Sequence, residues 1–115
     1  AEKVVQIGNV KFISKVFNNV SPKNLKGISD KIHYNQSDWV VAVITIESNK
    51  ISLVVGVTSE LSNRINAVDL VKIGSSQFGG KGGGGRPMMA QSGGNDINAS
   101  NATIEALINH IEKLN

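Results

Sequence analysis

The 115-residue sequence contains no cysteine, which removes disulfides and thiolate metal sites from consideration and gives no sign of an oxidising compartment. No apolar run approaches the roughly 20 residues that a membrane-spanning helix needs. The first residues also lack the basic, apolar and small-residue order of a signal peptide, so a cytoplasmic setting is expected. There is no His-Glu-x-x-His spacing. The two histidines, His33 and His110, fall at the ends of two predicted helices with no carboxylate cluster to complete a metal site, and both read as surface residues. Ser75 and Ser76 have no G-x-S-x-G context, so a hydrolase mechanism lacks a visible nucleophile. Charge of one sign is scarce too: 12 basic residues against 9 acidic give a formal +3. That excess suits an anionic partner but is common among unrelated domains.

The length allows one hydrophobic core and no enzyme active site with a second module beside it, so residues 1–115 are expected to form a single domain. The start at Ala1, without methionine, fits a piece of a longer protein.

Apolar periodicity outlines the elements. Val4 to Ile7 and Val10 to Ile13 flank Gly8-Asn9 as a short hairpin, with residues 10–17 read as a strand. Ser21 followed by Pro22 predicts a helix start with the serine hydroxyl as cap, and Leu25, Ile28 and Ile32 recur on one face until about Asn35. Trp39–Glu47 and Ile51–Thr58 are β-branched runs that predict an antiparallel hairpin with a three-residue connection, Ser48-Asn49-Lys50. Their near-continuous apolar character predicts central strands covered on both faces, so helices must lie against the sheet. Asn66, with Asp69 three residues on, predicts a second helix carrying Ala67, Val71, Gly74 and Phe78 on one side. Ile104, Leu107, Ile108, Ile111 and Leu114 predict a last amphipathic helix. The expected class is α+β: a central, mostly antiparallel sheet with a hairpin, flanking helices and a glycine-rich loop before the last helix. No internal repeat is visible.

What the chain has in abundance is concentrated glycine. Eight of its twelve glycines fall within GGKGGGGRPMMAQSGG, residues 79–94: six in its first seven positions (Gly79, Gly80, Gly82, Gly83, Gly84, Gly85), and Gly93 and Gly94 at its end. A flexible linker would be padded with serine, whereas this run holds Lys81, Arg86, Pro87 and Gln91, and it reads as a shaped loop. The run contains G-x-G-x-x-G at Gly80, Gly82 and Gly85. Gly82, however, stands where a Walker loop needs Ser or Thr after its lysine, and a helix rather than a strand precedes the run, so neither nucleotide-binding form fits. Consecutive glycine N–H groups flanked by Lys81 and Arg86 could instead make a concave site for phosphodiester oxygens, with Pro87 fixing the exit. The competing reading is that the glycines only permit tight packing. Lys72, on the preceding helix, is the preferred second contact; Lys11, Lys15, Lys23 and Lys26 are less specific. Tyr34 or Trp39 could stack on an exposed base, although Trp39 opening an apolar strand reads more naturally as core.

The same run, together with Lys50-Ile51-Ser52-Leu53-Val54-Val55-Gly56-Val57-Thr58, Asn66 to Lys72 and Ser21 to Gly27, resembles the C-terminal globular domain of bacterial alanyl-tRNA synthetases, across residues 10–95. That domain is similar to the DHH-associated domain of DHH phosphoesterases. The resemblance implies a noncatalytic domain that holds the outer corner of alanine tRNA for a parent ligase. The implied RNA-binding residues are Gly79, Gly80, Lys81, Gly82, Gly83, Gly84, Gly85, Arg86, Pro87 and Gln91, with Lys72 added from its position. ATP, magnesium and zinc would belong to other domains of the parent, leaving no cofactor here. Other parent domains and a second copy of the chain are the further partners implied. Family members usually carry an acidic residue where this chain has Met88, which leaves the loop's local geometry open. Two other readings stay open: the nucleic-acid-binding half of a DHH-type phosphoesterase, although no Asp-His-His occurs, and an oligomerisation module.

Overall fold

The positive φ of Gly8 (58°) reverses the chain between β1 (Glu2–Ile7) and β2 (Val10–Asn18), which pair antiparallel as expected. The computed structural model describes residues 2–115. A short crossover then brings the chain back to lay β3 (Trp39–Glu47) parallel to β2. The hydroxyl of Thr45 on β3 donates to the Val20 carbonyl at 2.7 Å, tying the start of that crossover to the sheet. β4 (Lys50–Val57) returns antiparallel to β3. Their connection has two residues rather than the expected three: Ser48 and Asn49 adopt φ of 55° and 60°, and Lys50 already pairs with Glu47. Two consecutive left-handed residues match the twist of a tight hairpin, and asparagine tolerates that conformation.

The crossover holds a 3₁₀ turn, Pro22–Asn24, followed by α1 (Leu25–His33). Ser21 makes no side-chain cap; its carbonyl accepts from the Asn24 N–H at 3.0 Å, so the segment opens as a 3₁₀ turn and the hydroxyl has no helical N–H to meet. α1 sets Leu25, with the half-buried Ile28 and Ile32, against Val41, Val43 and Val54. Leu25 is fully buried, which contributes on the order of 1.5–3 kcal/mol.

The opposite face is covered by α2 (Ala67–Phe78) and α3 (Ser100–Lys113) over a larger cluster that includes Phe12, Ile44, Leu53, Leu70, Phe78, Leu107 and Ile111. α2 starts as expected, with the Asn66 side chain accepting from the Val68 N–H at 2.9 Å. Leu114 departs from expectation: α3 ends at Lys113, and Leu114 is 44% exposed beyond the last turn. His33 also departs. It lies four residues after the buried Ser29 on the sheet side of α1, its Nε2 is buried, and a Cβ on Gly56 would lie 2.8 Å from that nitrogen and 2.5 Å from the Ser29 hydroxyl. Asp30 Oδ1 is 3.7 Å from the same His33 nitrogen, and His110 is half-buried on α3.

Two further strands complete a six-stranded sheet in the order β1-β2-β3-β4-β6-β5, with β5 at Gly84–Arg86 and β6 at Met89–Gly94. Every pairing except β2 with β3 is antiparallel, so the α+β class with a mostly antiparallel sheet holds.

Candidate nucleic-acid interface

The glycine run begins where α2 stops. Gly79, at φ 74°, is the left-handed residue that ends the helix. The Gly80 N–H then donates to the Ser75 carbonyl at 2.9 Å, and the Gly82 N–H donates to the Ser75 hydroxyl at 2.8 Å. One buried serine therefore shapes the first turn of the run. Residues 79–83 are loop, while Gly84, Gly85 and Arg86 pair with Gln91, Ala90 and Met89 as the sheet's edge strand. Glycine is required at Gly83, where φ is 98° and a Cβ would meet the Ser92 Cβ at 2.5 Å. Gly84 differs: its φ is not left-handed, and a Cβ there would meet nothing within 4 Å.

The turn between β5 and β6 is held by main chain. The Pro87 carbonyl accepts from the Ala67 N–H at 2.9 Å, and the Met88 carbonyl accepts from the Val57 N–H at 2.9 Å. These bonds anchor the turn to the start of α2 and the end of β4 whatever side chain stands at residue 88. The Met88 side chain is 41% exposed and lines a depression of about 340 Å³ with His33 and Tyr34.

Register decides which side chains share a surface. Val54 pairs with Gln91, and Gln91 with Gly84, so Lys50, Ser52, Gln91, Gly93, Gly84 and Arg86 lie on the face that α1 covers. α1 packs over β3 and β4 but leaves the β6–β5 end open: Gln91, Gly93, Gly84 and Arg86 are all exposed there. At one end of this open area, a cleft of about 370 Å³ brings Lys50 and Lys81 together over the backbone of Gly79, Gly80, Gly93 and Gly94. Arg86 stands at the other end, beside Met89. The five residue steps from Met89 to Gly94 span roughly 17 Å, so Lys81 and Arg86 do not flank one small anion. Only an extended ligand could meet both. β4 and residues 79–94 carry Lys50, Lys81 and Arg86 and no Asp or Glu, although Glu47 pairs with Lys50 across the tight turn.

Other expected contacts lie elsewhere. Lys72 is exposed on α2, the layer on the opposite face of the sheet from Gln91. Trp39 is half-buried against the α1 cluster, with the Lys11 ammonium 5.1 Å from its ring centroid, so its face is engaged within the molecule. Tyr34 is 73% exposed, and Lys23 and Lys26 are exposed at the start of α1. Lys50 was not among the residues expected at the site. Its local sequence marks only a turn, and its meeting with Lys81 depends on the pairing of β4 with β6. Among the described residues, no group of three His, Cys, Asp or Glu side chains is placed to hold a metal ion, and no helix is long and apolar enough to cross a membrane.

Residues 9–113 match the family profile of the DHHA1 domain. The chain belongs to the DHHA1 domain family. Within that family it is similar to the C-terminal domain of bacterial alanyl-tRNA synthetases. It is 44% identical over 107 residues to the alanine–tRNA ligase of Granulibacter bethesdensis, a match that covers 93% of this chain and 12% of the relative. It is 45% identical over 107 residues to the corresponding ligase of a Chelativorans species, covering 92% and 12%. The chain thus spans about one eighth of the length of the curated relatives it matches. The crystal structure of the C-Ala domain from Aquifex aeolicus alanyl-tRNA synthetase superposes with a TM-score of 0.90 at 27% identity, covering 96% of this chain and 98% of that one. A DHH-domain protein described as a member of a family of ribosomal proteins shares the fold, with a TM-score of 0.63 at 20% identity over 97% of this chain and 28% of its own.

Proposed function

We propose that this DHHA1 domain is a noncatalytic RNA-binding domain of a larger alanine–tRNA ligase, acting in the cytoplasm. The observation that carries the proposal is the open β6–β5 end of the sheet, bounded by Lys50, Lys81 and Arg86 with no acid on β4 or residues 79–94. Two cationic ends separated by a polar floor suit a phosphodiester backbone, whose contacts position a nucleic acid through its shape. The relatives that share the domain are alanine–tRNA ligases, which supports alanine tRNA as the RNA, and its outer corner is the part proposed to be held. Holding that corner would help one tRNA reach both the aminoacylating and the editing centres of the parent. ATP, magnesium and zinc are assigned to the parent's other domains, which are this domain's protein partners.

A gel-shift or anisotropy titration of the chain against alanine tRNA, an unrelated folded tRNA and an unstructured RNA tests this. The expected order is folded tRNA before unstructured RNA, with a Kd of roughly 10⁻⁴ to 10⁻⁶ M at physiological salt, typical of a few phosphate contacts. Equal, weak binding to all three would reduce the domain to a general polyanion binder.

A further inference from the structure

The open sheet face holds a feature that phosphate contacts leave unused: an uncharged floor between the cations. Gln91 stands at its centre, with Gly84 opposite it on β5 and Gly93 two residues along β6 on the same face. All three are exposed. Beside them, a depression of about 220 Å³ is walled by Pro22 and Leu25 on one side and by Ser52 and Gln91 on the other.

Within residues 79–85, Gly79, Gly82, Gly83 and Gly85 are held at positive φ, and Gly80 has no room for a Cβ between Ser75 and Gly93. Gly84 has neither constraint, and a β-branched residue would suit an edge strand better than glycine. Nothing in the fold fills the space above its bare surface, which leaves that surface free to lie against a ligand.

The geometry points to a binding place for one unpaired nucleobase of RNA, lying flat over Gly84 and Gly93 with its edge hydrogen-bonded by the Gln91 amide. Glutamine offers both a donor and an acceptor, which matches the mixed edge of a base and has no special fit to a phosphate. Lys50 and Lys81 at one end and Arg86 at the other would take the phosphates on either side, a charge complementarity that a polyanion satisfies. The inference rests on the RNA-binding reading above and adds the base to it.

The test compares the 115-residue chain with Gly84→Val and Gln91→Ala variants, using alanine tRNA, a short single-stranded RNA oligomer and an abasic oligomer of equal length. Both substituted positions are exposed, so unchanged melting temperatures establish that the variants fold. The wild type should bind the base-bearing oligomer roughly tenfold more tightly than the abasic one, and both variants should lose most of that difference. Equal binding of the two oligomers by the wild type overturns the base site and leaves the RNA-binding reading standing. Binding of tRNA with no binding of either oligomer also overturns it, as does a Gly84→Val protein that keeps the full preference. Failure to bind any of the three RNAs removes both readings.

Discussion

The buried hydroxyl of Ser75 accepts the Gly82 N–H at 2.8 Å, while the Ser75 carbonyl accepts the Gly80 N–H at 2.9 Å. A single residue in the last turn of α2 thereby sets the path of the glycine run from helix to edge strand. Replacing it by alanine removes this part-buried hydrogen bond, at a cost of about 0.5–1.5 kcal/mol. Ser75→Ala should therefore lower the melting temperature without changing the far-UV circular dichroism. Amide exchange at Gly82 should accelerate far more than at Leu70, and unchanged exchange at Gly82 would show that the hydroxyl does not shape the loop.

The glycines divide by what surrounds them. Gly83→Ala imposes a left-handed φ of 98° on an L-residue and drives its Cβ into Ser92, so a loss of at least about 2 kcal/mol is expected. Gly79→Ala carries the φ penalty alone, since a Cβ there meets nothing within 4 Å, and should cost about 1 kcal/mol. Urea denaturation of the two proteins ranks them, and a Gly79 variant less stable than the Gly83 one would contradict the packing described.

Gly56 is the contact that lets α1 seat on β4. A methyl there would press on the hydroxyl of Ser29 at 2.5 Å and on the His33 ring, so Gly56→Ala should destabilise by about 1–3 kcal/mol. Because the first obstacle is the Ser29 hydroxyl, adding Ser29→Ala should restore part of that loss. A double-mutant cycle with no coupling would mean that α1 shifts as a body instead.

The Lys3–Glu105 ion pair, 2.6 Å long, joins β1 to α3 but has both side chains at least half exposed. Its removal by Glu105→Gln should change stability by less than about 1 kcal/mol, and by less still in high salt. A larger change in thermal unfolding would mean that this bond is what holds β1 to α3.

The elements with strong local patterns were legible in the sequence. β3 and β4 declared themselves by continuous β-branched residues, and Asn66 by its capping chemistry. The pairing of Gly84–Arg86 was not legible, because glycine has little strand preference and the bonds that make it a strand come from β6 and, through it, β4. The same dependence hid Lys50, whose place beside Lys81 is a product of sheet order. It also obscured Lys72, which the helix carries to the other face of the sheet from Gln91. Ser21 misled because a 3₁₀ turn uses its carbonyl rather than its hydroxyl. Leu114 fits the apolar period of α3 but follows its last residue and stays 44% exposed.

The most direct test of the RNA-binding account is the salt dependence of alanine tRNA binding, measured for the wild type and for Lys50→Ala, Lys81→Ala and Arg86→Ala combined. Each lost phosphate contact should reduce the slope of log K against log salt by about 1, so the triple variant should bind more weakly at low salt and with a slope shallower by about 2–3. A triple variant with the affinity and slope of the wild type would place the RNA on another surface. Absence of wild-type binding at high micromolar protein would contradict the account outright.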